Sequence, residues 1–333
     1  MLIDDPEYYI KGVLDRNRRV LSRTLTLVES SLKTHRDLAR KVIDGLMPFS
    51  GKSVRLGVTG VPGAGKSTFI ENLGVMLADR GHRVAVLAVD PSSQQVGGSI
   101  LGDKTRMEKL AFHENAFIRP SPSGETLGGV ARKTRECLLV CEAAGYDVIM
   151  VETVGVGQSE ISVGTMVDFF LTLMIAGAGD ELQGIKKGVL EVSDALAINK
   201  ADGKNLERAM KARKELEQAM KMVLQEKNSW FPPVLTCSSI TDGGTSEVWD
   251  TVLAHQEKMK ANGSFEKKRK QQAVEWMWAL VHTGLKARFR ESEAVTDKIP
   301  GLSEQVHDGR VSPSSAADEL LASFYESIAN PDI

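Results

Sequence analysis

The sequence predicts an α/β protein whose core is a doubly wound, mostly parallel β-sheet, with helical extensions at both ends. Three observations lead to this fold class. From about residue 53 onward, short runs of β-branched and apolar residues alternate with helical stretches, which is the pattern of β-α-β units. Several of these runs are apolar at nearly every position, as expected for strands that helices cover on both faces. The segments outside this region carry apolar residues three and four positions apart, as amphipathic helices do.

The elements of the predicted fold follow in order along the chain. Residues 8–46 have leucine, isoleucine and valine at helical spacing, which predicts two amphipathic helices. The alternating region after them predicts seven strands, whose sequences are SVRLGVTG, RVAVLAVD, AFIRP, DVIMVET, FFLTLMI, DALAINK and PVLTCSS. Because helical stretches separate these strands, we expect the sheet to be parallel.

Helical segments complete the chain after the last strand. A helix with a threonine or serine cap at 245 or 246 is expected to end near residue 262. Residues 265–292 and 312–329 predict further helices, the second opened by serines and a proline. The sequence therefore predicts three parts, namely a helical extension over 1–48, an α/β domain over 49–262 and a helical region over 263–333.

The composition favours a soluble protein without a nucleic-acid partner or a membrane span. The 333 residues carry a formal net charge of −2, so no global basic field attracts nucleic acid or an anionic membrane. The basic run EKKRKQQ at 266–272 is predicted to be a solvated helix face. The longest apolar run, FFLTLMIAGAG, has about half of the roughly 20 residues that a spanning helix needs. No apolar signal segment opens the sequence, so we expect a cytoplasmic location.

The cysteines and tryptophans allow more than one interpretation. The three cysteines show no paired spacing and predict reduced thiols. Cys137 and Cys141 lie one helical turn apart, a spacing that either binds a metal or buries two small side chains; burial is favoured because no histidine lies nearby. Trp276 and Trp278 either pack within the chain or form a partner surface, and the sequence leaves both open.

A glycine-rich loop carries the clearest chemical signal. Gly60, four residues, and then Gly65, Lys66 and Ser67 match the phosphate-binding loop, which here follows an apolar strand and precedes a helical stretch. Its glycines let backbone N–H groups turn toward phosphate oxygens at a helix N-terminus, whose dipole favours anions, and Lys66 would reach the β and γ phosphates. The sequence thus predicts a P-loop NTPase whose nucleotide is held by Gly60, Val61, Pro62, Gly63, Ala64, Gly65, Lys66, Ser67 and Thr68.

Acidic residues near the ends of strands predict a magnesium site beside this loop. Ser67 would place its hydroxyl on Mg²⁺, which prefers oxygen ligands and keeps several waters. Asp90 and Glu152 each end an apolar strand, where the carboxyl ends of parallel strands line the ligand crevice. Asp103 lies in the glycine-flanked segment after the second strand. The alternative for each acid is a helix cap or a surface position.

A second motif indicates the base of the nucleotide. Asn199, Lys200 and Asp202 form an Asn-Lys-x-Asp group at the end of a predicted strand. One aspartate carboxylate can accept both the N1–H and the N2 amine of guanine, which adenine does not offer. Downstream, a second guanine-contacting loop is expected to approach the ring through backbone groups of Ser238, Ser239 and Ile240. We therefore expect GTP and GDP to be the bound nucleotides.

Longer stretches resemble those of one family. GVPGAGKST, AVDPSS, IRPSPS, TLGGVARKT, VIMVETVGVGQSE, AGAGDELQGIKKG and INKADG occur in order and are similar to those of the methylmalonyl-CoA mutase-associated G-protein chaperones of the MeaB/ArgK type, also described as lysine/arginine/ornithine transport-system kinases. The resemblance extends from about residue 10 to the C-terminus. It implies a homodimer formed by the C-terminal helices and Mg²⁺-dependent GTP hydrolysis. It also implies a chaperone that protects the mutase and gates adenosylcobalamin loading.

The resemblance also assigns roles to individual residues. It implies that Glu152 is the nucleotide-sensing acid and that the N–H of Gly155 senses the γ-phosphate within ETVGVGQSE. It further implies that residues 176–188 are an additional switch, in which Lys186 signals to the partner or stabilises charge.

One position departs from Ras-like G proteins. Val156 follows Gly155 where a water-orienting glutamine would stand, and Gln158 comes two residues too late. Water positioning is therefore expected from Asp103, from Asp90 or from a rearrangement caused by the partner, and intrinsic turnover is expected to be slow. Two rival functions are a kinase that phosphorylates a periplasmic amino-acid-binding protein and a nucleotide-dependent scaffold without useful hydrolysis. The guanine-binding group and the absence of an export signal argue against the kinase, and the full set of predicted Mg²⁺-site acids argues against the scaffold.

Overall fold

A computed structural model gives the fold of the chain and describes residues 3–89, 107–120, 127–153, 159–176, 187–223, 230–241 and 243–329. The chain divides into two compact units, Met1–Gln272 and Ala273–Ile333. Within the described ranges, no helix is long and apolar enough to cross a membrane. The sequence predicts three parts, 1–48, 49–262 and 263–333, whose boundaries differ from that of the two units, and this three-part organisation stays a prediction.

The N-terminal region forms three helices, so the prediction of two is wrong. They are α1 (Pro6–Leu14), α2 (Arg18–Val28) and α3 (Lys33–Leu46). Arg16 adopts a left-handed conformation with φ of 60°, and the Asn17 side chain accepts hydrogen bonds from Arg19 N and Val20 N as the cap of α2. This local turn separates two helices whose apolar spacing continues across it. All three helices bury apolar residues in one core cluster with the sheet.

The described strands form a seven-stranded parallel sheet in the order β3-β2-β4-β1-β5-β6-β7. Their bounds are β1 Val54–Gly60, β2 Val84–Val89, β3 Ala116–Pro120, β4 Val148–Thr153, β5 Phe169–Ile175, β6 Ala195–Asn199 and β7 Val234–Thr236. The chain builds β2, β3 and β4 on one side of β1 and then crosses to β5, β6 and β7 on the other. This reversal makes the carboxyl end of β1 a topological switch point, where open α/β sheets bind their ligands.

Helices cover both faces of the sheet, as the apolar strands predict. On one face α6 (Leu127–Ala143) packs with the three N-terminal helices, and its Cys137 and Cys141 are buried free thiols, as expected. On the other face α4 (Lys66–Asp79) packs beside α10 (Thr245–Ala261). The other helices among the described residues of this unit are α5 Glu108–Phe112, α7 Ser159–Gly164, α8 Lys187–Val192 and α9 Leu206–Val223, with 3₁₀ turns at Met47–Phe49 and Gly203–Asn205.

Helix α11 (Ser264–Glu291) begins in the first unit and continues into the second. Its basic run at 266–272 is only partly the solvated face that the sequence predicts, because Glu266, Lys267, Lys270 and Gln271 are exposed whereas Arg269 is held by the sheet. Arg269 donates to both carboxylate oxygens of Asp168, whose side chain is only 4% exposed, and also to the carbonyls of Gly51 and Ser53. The start of α11 is therefore held at the amino ends of the central strands β1 and β5, opposite the carboxyl ends of the strands.

Up to residue 329, where the described part of the chain ends, the second unit continues α11 and adds three helices, α12 (Glu293–Thr296), α13 (Ile299–His307) and α14 (Pro313–Ala329). The rings of Phe289 and Phe324 meet edge to face within it, with centroids 5.2 Å apart. One stripe of α11 is apolar and about half exposed, and it consists of Val274, Trp278, Val281 and Leu285.

Candidate nucleotide-binding site

The glycine-rich loop joins the carboxyl end of β1 to the first turn of α4, at the switch point of the sheet. Gly65 caps α4 with a left-handed φ of 84°, and a Cβ there would lie 2.7 Å from Asn199 Nδ2. A Cβ at Gly60 would lie 2.3 Å from the carbonyl oxygen of Leu173. These positions accept only glycine without a shift of their neighbours. Of the other loop residues, Ala64 is buried, whereas Pro62, Gly63 and Thr68 are exposed.

Lys66 is the first residue of α4, and its side chain folds over the loop. Its Nζ donates to the carbonyls of Gly60 at 2.8 Å and Val61 at 3.3 Å. Burial lowers the pKa of the ammonium group, and the carboxylates of Glu152 and Glu160 oppose that shift. The loop thus holds a cation next to its backbone donors, as phosphate binding requires.

Ser67 and Glu152 bring two oxygen ligands together beside this cation. Ser67 Oγ donates to Glu152 Oε1 at 2.8 Å. Glu152 is nearly buried in β4, in register with Val58 of β1 and Ala88 of β2, so the sheet fixes its position. A hydroxyl and a carboxylate are the donors that Mg²⁺ prefers, and the pair fits that ion. The described residues contain no group of three or more histidine, cysteine, aspartate or glutamate side chains that could hold a metal by themselves.

Asn199 connects the glycine-rich loop to the loop that is predicted to contact guanine, residues 238–240. It ends β6 and is completely buried. Its Nδ2 donates to the Ala64 carbonyl at 2.7 Å, and its Oδ1 accepts from Ser239 N at 3.2 Å and from Ser239 Oγ at 3.0 Å. Two segments that are far apart in sequence therefore form one surface.

Asp202 is held at the edge of this surface by Ser238. Ser238 Oγ donates to Asp202 Oδ2 at 2.5 Å and accepts from the N–H groups of Ile240 and Thr241 at 3.3 and 3.2 Å. The Ile240 side chain is 80% exposed, and Lys200 has a left-handed φ of 58°. The Asp202 carboxylate is thereby oriented by the same loop that is predicted to meet the base.

Four predicted site residues lie outside the described residues. Asp90 and Asp103 fall within 90–106, Gly155 within 154–158 and Lys186 within 177–186. Their roles stay predictions.

Sequence reasoning missed two side chains near this surface. Glu160 is a buried carboxylate at the start of α7, and it acts electrostatically on Lys66. Asn72, on α4, donates to the backbone carbonyl of Ser239. Glu160 ends the stretch ETVGVGQSE, whose family resemblance could have identified it, whereas Asn72 lies in no recognised motif.

Comparisons with known proteins agree with this geometry. The family model of the methylmalonyl-CoA mutase-associated GTPase MeaB matches residues 21–294. A protein of Caulobacter vibrioides described as a GTPase is 53% identical over 308 residues, which cover 92% of this chain and 94% of that protein. The GTPase ArgK of Escherichia coli is 50% identical over 268 residues, covering 80% and 81% of the two chains.

A mammalian relative and a solved structure extend the comparison. The mitochondrial methylmalonic aciduria type A homolog of Mus musculus is 43% identical over 323 residues, covering 94% of this chain and 78% of that protein. The crystal structure of an LAO/AO transport system kinase superposes with a TM-score of 0.77 at 38% identity, covering 97% and 99% of the two chains. The fold is that of a P-loop NTPase that binds guanine nucleotides. The chain belongs to the family of methylmalonyl-CoA mutase-associated GTPases, MeaB.

Proposed function

We propose that this GTPase hydrolyses GTP with Mg²⁺, and that it protects adenosylcobalamin-dependent methylmalonyl-CoA mutase and gates the loading of its cofactor. The observation that carries the proposal is the buried Asn199 side chain, which ties the phosphate loop to the guanine loop. A base and a triphosphate bound across these two loops would influence each other through one rigid side chain.

The described residues support distinct roles in binding and hydrolysis. Backbone N–H groups of the loop and the Lys66 ammonium group would bind the phosphates, where fixed positive charge stabilises the transition state for phosphoryl transfer. Ser67 and Glu152 would hold Mg²⁺, together with Asp90 and Asp103, and the ion would neutralise charge between the β and γ phosphates. Asp202 would select guanine by accepting from its N1–H and N2 groups.

The proposed function includes control of GTP turnover by a partner protein. Val156 stands where a water-orienting glutamine is expected, so intrinsic turnover should be slow until a partner completes the site. Gly155 would sense the γ-phosphate, and Lys186 in the 176–188 segment would respond to the partner. The names of the family and of its mouse relative, which refer to methylmalonyl-CoA mutase and to methylmalonic aciduria, favour the mutase as that partner.

We further propose a cytoplasmic homodimer joined through the C-terminal helices. The apolar stripe of α11 has the four- and three-residue spacing of a helix-packing seam, with Val274, Trp278, Val281 and Leu285 about half exposed. A second copy of the chain would bury it.

The rival kinase function has one point in its favour, since the related solved structure is titled a transport system kinase. A kinase would move the γ-phosphate to a protein hydroxyl, whereas a GTPase moves it to water. Incubation of the chain with γ-labelled GTP and a periplasmic amino-acid-binding protein separates the two, because only the kinase labels that protein.

Cofactor loading tests the proposed function directly. Transfer of adenosylcobalamin to apo-mutase would be followed by absorbance with GTP, with a non-hydrolysable GTP analogue and with the Lys66→Ala variant. Loading that depends on the nucleotide, and that the analogue and Lys66→Ala both alter, is the expected result. Loading that is the same in all three samples would contradict gating.

A further inference from the structure

The P-loop helix reaches the guanine loop through one side chain that belongs to neither motif. Asn72 lies on α4, in the second turn after Lys66, and its Nδ2 donates to the carbonyl oxygen of Ser239 at 2.5 Å. Ser239 is 8% exposed, and its N–H and hydroxyl both donate to Asn199. All three polar groups of Ser239 are therefore engaged, two by the Asn-Lys-x-Asp motif and one by Asn72.

The bond from Asn72 also fixes the direction of the next backbone N–H. The Ser239 carbonyl and the Ile240 N–H belong to the same planar peptide unit, so in a trans peptide they point in nearly opposite directions. The described residues contain no cis peptide bond. With its carbonyl held toward α4, this peptide directs the Ile240 N–H to Ser238 Oγ at 3.3 Å, which is the hydroxyl that donates to Asp202. A backbone donor thus stands beside the carboxylate that is expected to read the base.

The hydrogen-bonding groups on the edge of the purine indicate what this backbone donor can bind. Guanine carries an acceptor, its 6-oxygen, next to the N1–H and N2 donors, whereas adenine carries an amino donor at position 6. A carboxylate with a backbone N–H beside it matches the guanine edge. The same N–H would face the adenine amino group, donor against donor, and leave it unsatisfied.

We propose that Asn72 is a positioning residue for base specificity, which orients the Ser239–Ile240 peptide so that its N–H exchanges the 3.3 Å contact with Ser238 Oγ for the 6-oxygen of a bound purine. This inference rests on the proposed GTP site. Asn72 touches no nucleotide itself, and it acts on the 6-position through the peptide, separately from the action of Asp202 on positions 1 and 2.

Three triphosphates and three variants test the proposal. Dissociation constants for GTP, ITP and ATP would be measured by calorimetry for the wild type and for Asn72→Ala, Asn72→Asp and Asn72→Gln. Inosine triphosphate (ITP) keeps the 6-oxygen of guanine and lacks the 2-amino group, so it separates binding at the 6-oxygen from binding at the 2-amino group. Asn115→Ala is the matched control, because Asn115 Nδ2 also donates to a carbonyl of α4, that of Ala78, near the other end of the helix. Thermal unfolding of each variant without nucleotide checks that it folds.

Asn72→Ala should raise the dissociation constants of GTP and ITP by the same factor, about three- to tenfold, because one neutral hydrogen bond to the 6-oxygen is disturbed. The dissociation constant of ATP should stay unchanged. Asn72→Asp has a side chain of the same size that cannot donate a hydrogen bond, so it should lose at least as much affinity for GTP and ITP. Asn72→Gln keeps an amide donor and should recover part of that affinity. Asn115→Ala should leave the GTP-to-ATP preference unchanged.

Contrary results separate this inference from the proposed function. A wild type that binds ATP as tightly as GTP overturns the proposed GTP site and this inference with it. A wild type that prefers GTP, together with a folded Asn72→Ala that keeps the same preference, overturns the inference alone. It is also overturned if Asn72→Ala weakens GTP much more than ITP, because the loss then lies at the 2-amino group, or if Asn72→Gln is no better than Asn72→Asp.

Discussion

Replacement of Asn199 by alanine should both destabilise the first unit and weaken GTP binding. The side chain is completely buried, and its loss removes the partner of the Ala64 carbonyl, of the Lys200 N–H, and of the Ser239 N–H and hydroxyl. An unsatisfied buried polar group costs about 1 to 3 kcal/mol, and the Ser239 hydroxyl can rotate toward another acceptor. We therefore expect a loss of about 2 to 5 kcal/mol in the free energy of unfolding, which is a large part of a typical 5 to 15 kcal/mol.

Urea unfolding without nucleotide measures this loss, and Asn205→Ala is the matched control. Asn205 Nδ2 donates to the Lys200 carbonyl at 2.7 Å, which is the same kind of bond in the same segment, but at an exposed position. Water can replace that bond, so Asn205→Ala should cost less than about 1 kcal/mol. GTP affinity, measured under conditions where both variants are folded, should fall only for Asn199→Ala. Equal and small effects of the two substitutions would refute the role of Asn199 as the connection between the two loops.

Two further predictions concern base selection and pH. Asp202→Asn should shift preference from GTP toward xanthosine triphosphate, because the amide offers a donor where the carboxylate accepts; a direct competition assay checks this, and an unchanged GTP preference would count against Asp202. Burial lowers the pKa of His255 below its ordinary 6.5, and the Asp194 carboxylate opposes that shift. The unfolded chain then binds this proton more readily, so stability is full above about pH 6.5 and falls as pH drops below it, by at most about 1.4 kcal/mol per pH unit for one proton. Unfolding of His255→Phe should be less sensitive between pH 7 and 5, and an identical pH profile would show that His255 does not contribute.

The sequence predicted the sheet well, because its strands depend on local pattern. The runs AFIRP and FFLTLMI coincide with β3 and β5, since a buried parallel strand is marked by its own apolar residues. The three N-terminal helices were not separable, because the turn depends on the left-handed Arg16 and the cap at Asn17 within a continuous apolar spacing.

Features that depend on tertiary partners could not be predicted. Arg269 looked like part of a solvated basic run, because nothing in the sequence indicates that Asp168 lies beside it. Asn72 donates a hydrogen bond to a backbone carbonyl, which any residue at position 239 would present, so the sequence gives no indication of this contact. By contrast, Asn199 was identified from its motif, but its contact with the Ala64 carbonyl required the structure.

The most direct test of the gating account is steady-state phosphate release from GTP, with and without methylmalonyl-CoA mutase, for the wild type and for Lys186→Ala. If partner binding completes the hydrolytic site, the mutase should accelerate wild-type turnover by about one to two orders of magnitude, which corresponds to about 1.4 to 2.7 kcal/mol of barrier. Lys186→Ala should reduce this acceleration while GTP affinity stays nearly the same, because a residue that acts only after docking contributes little to ground-state binding. Wild-type turnover that is indifferent to the mutase would contradict gating by this partner. A variant that responds as the wild type does would contradict the role of Lys186.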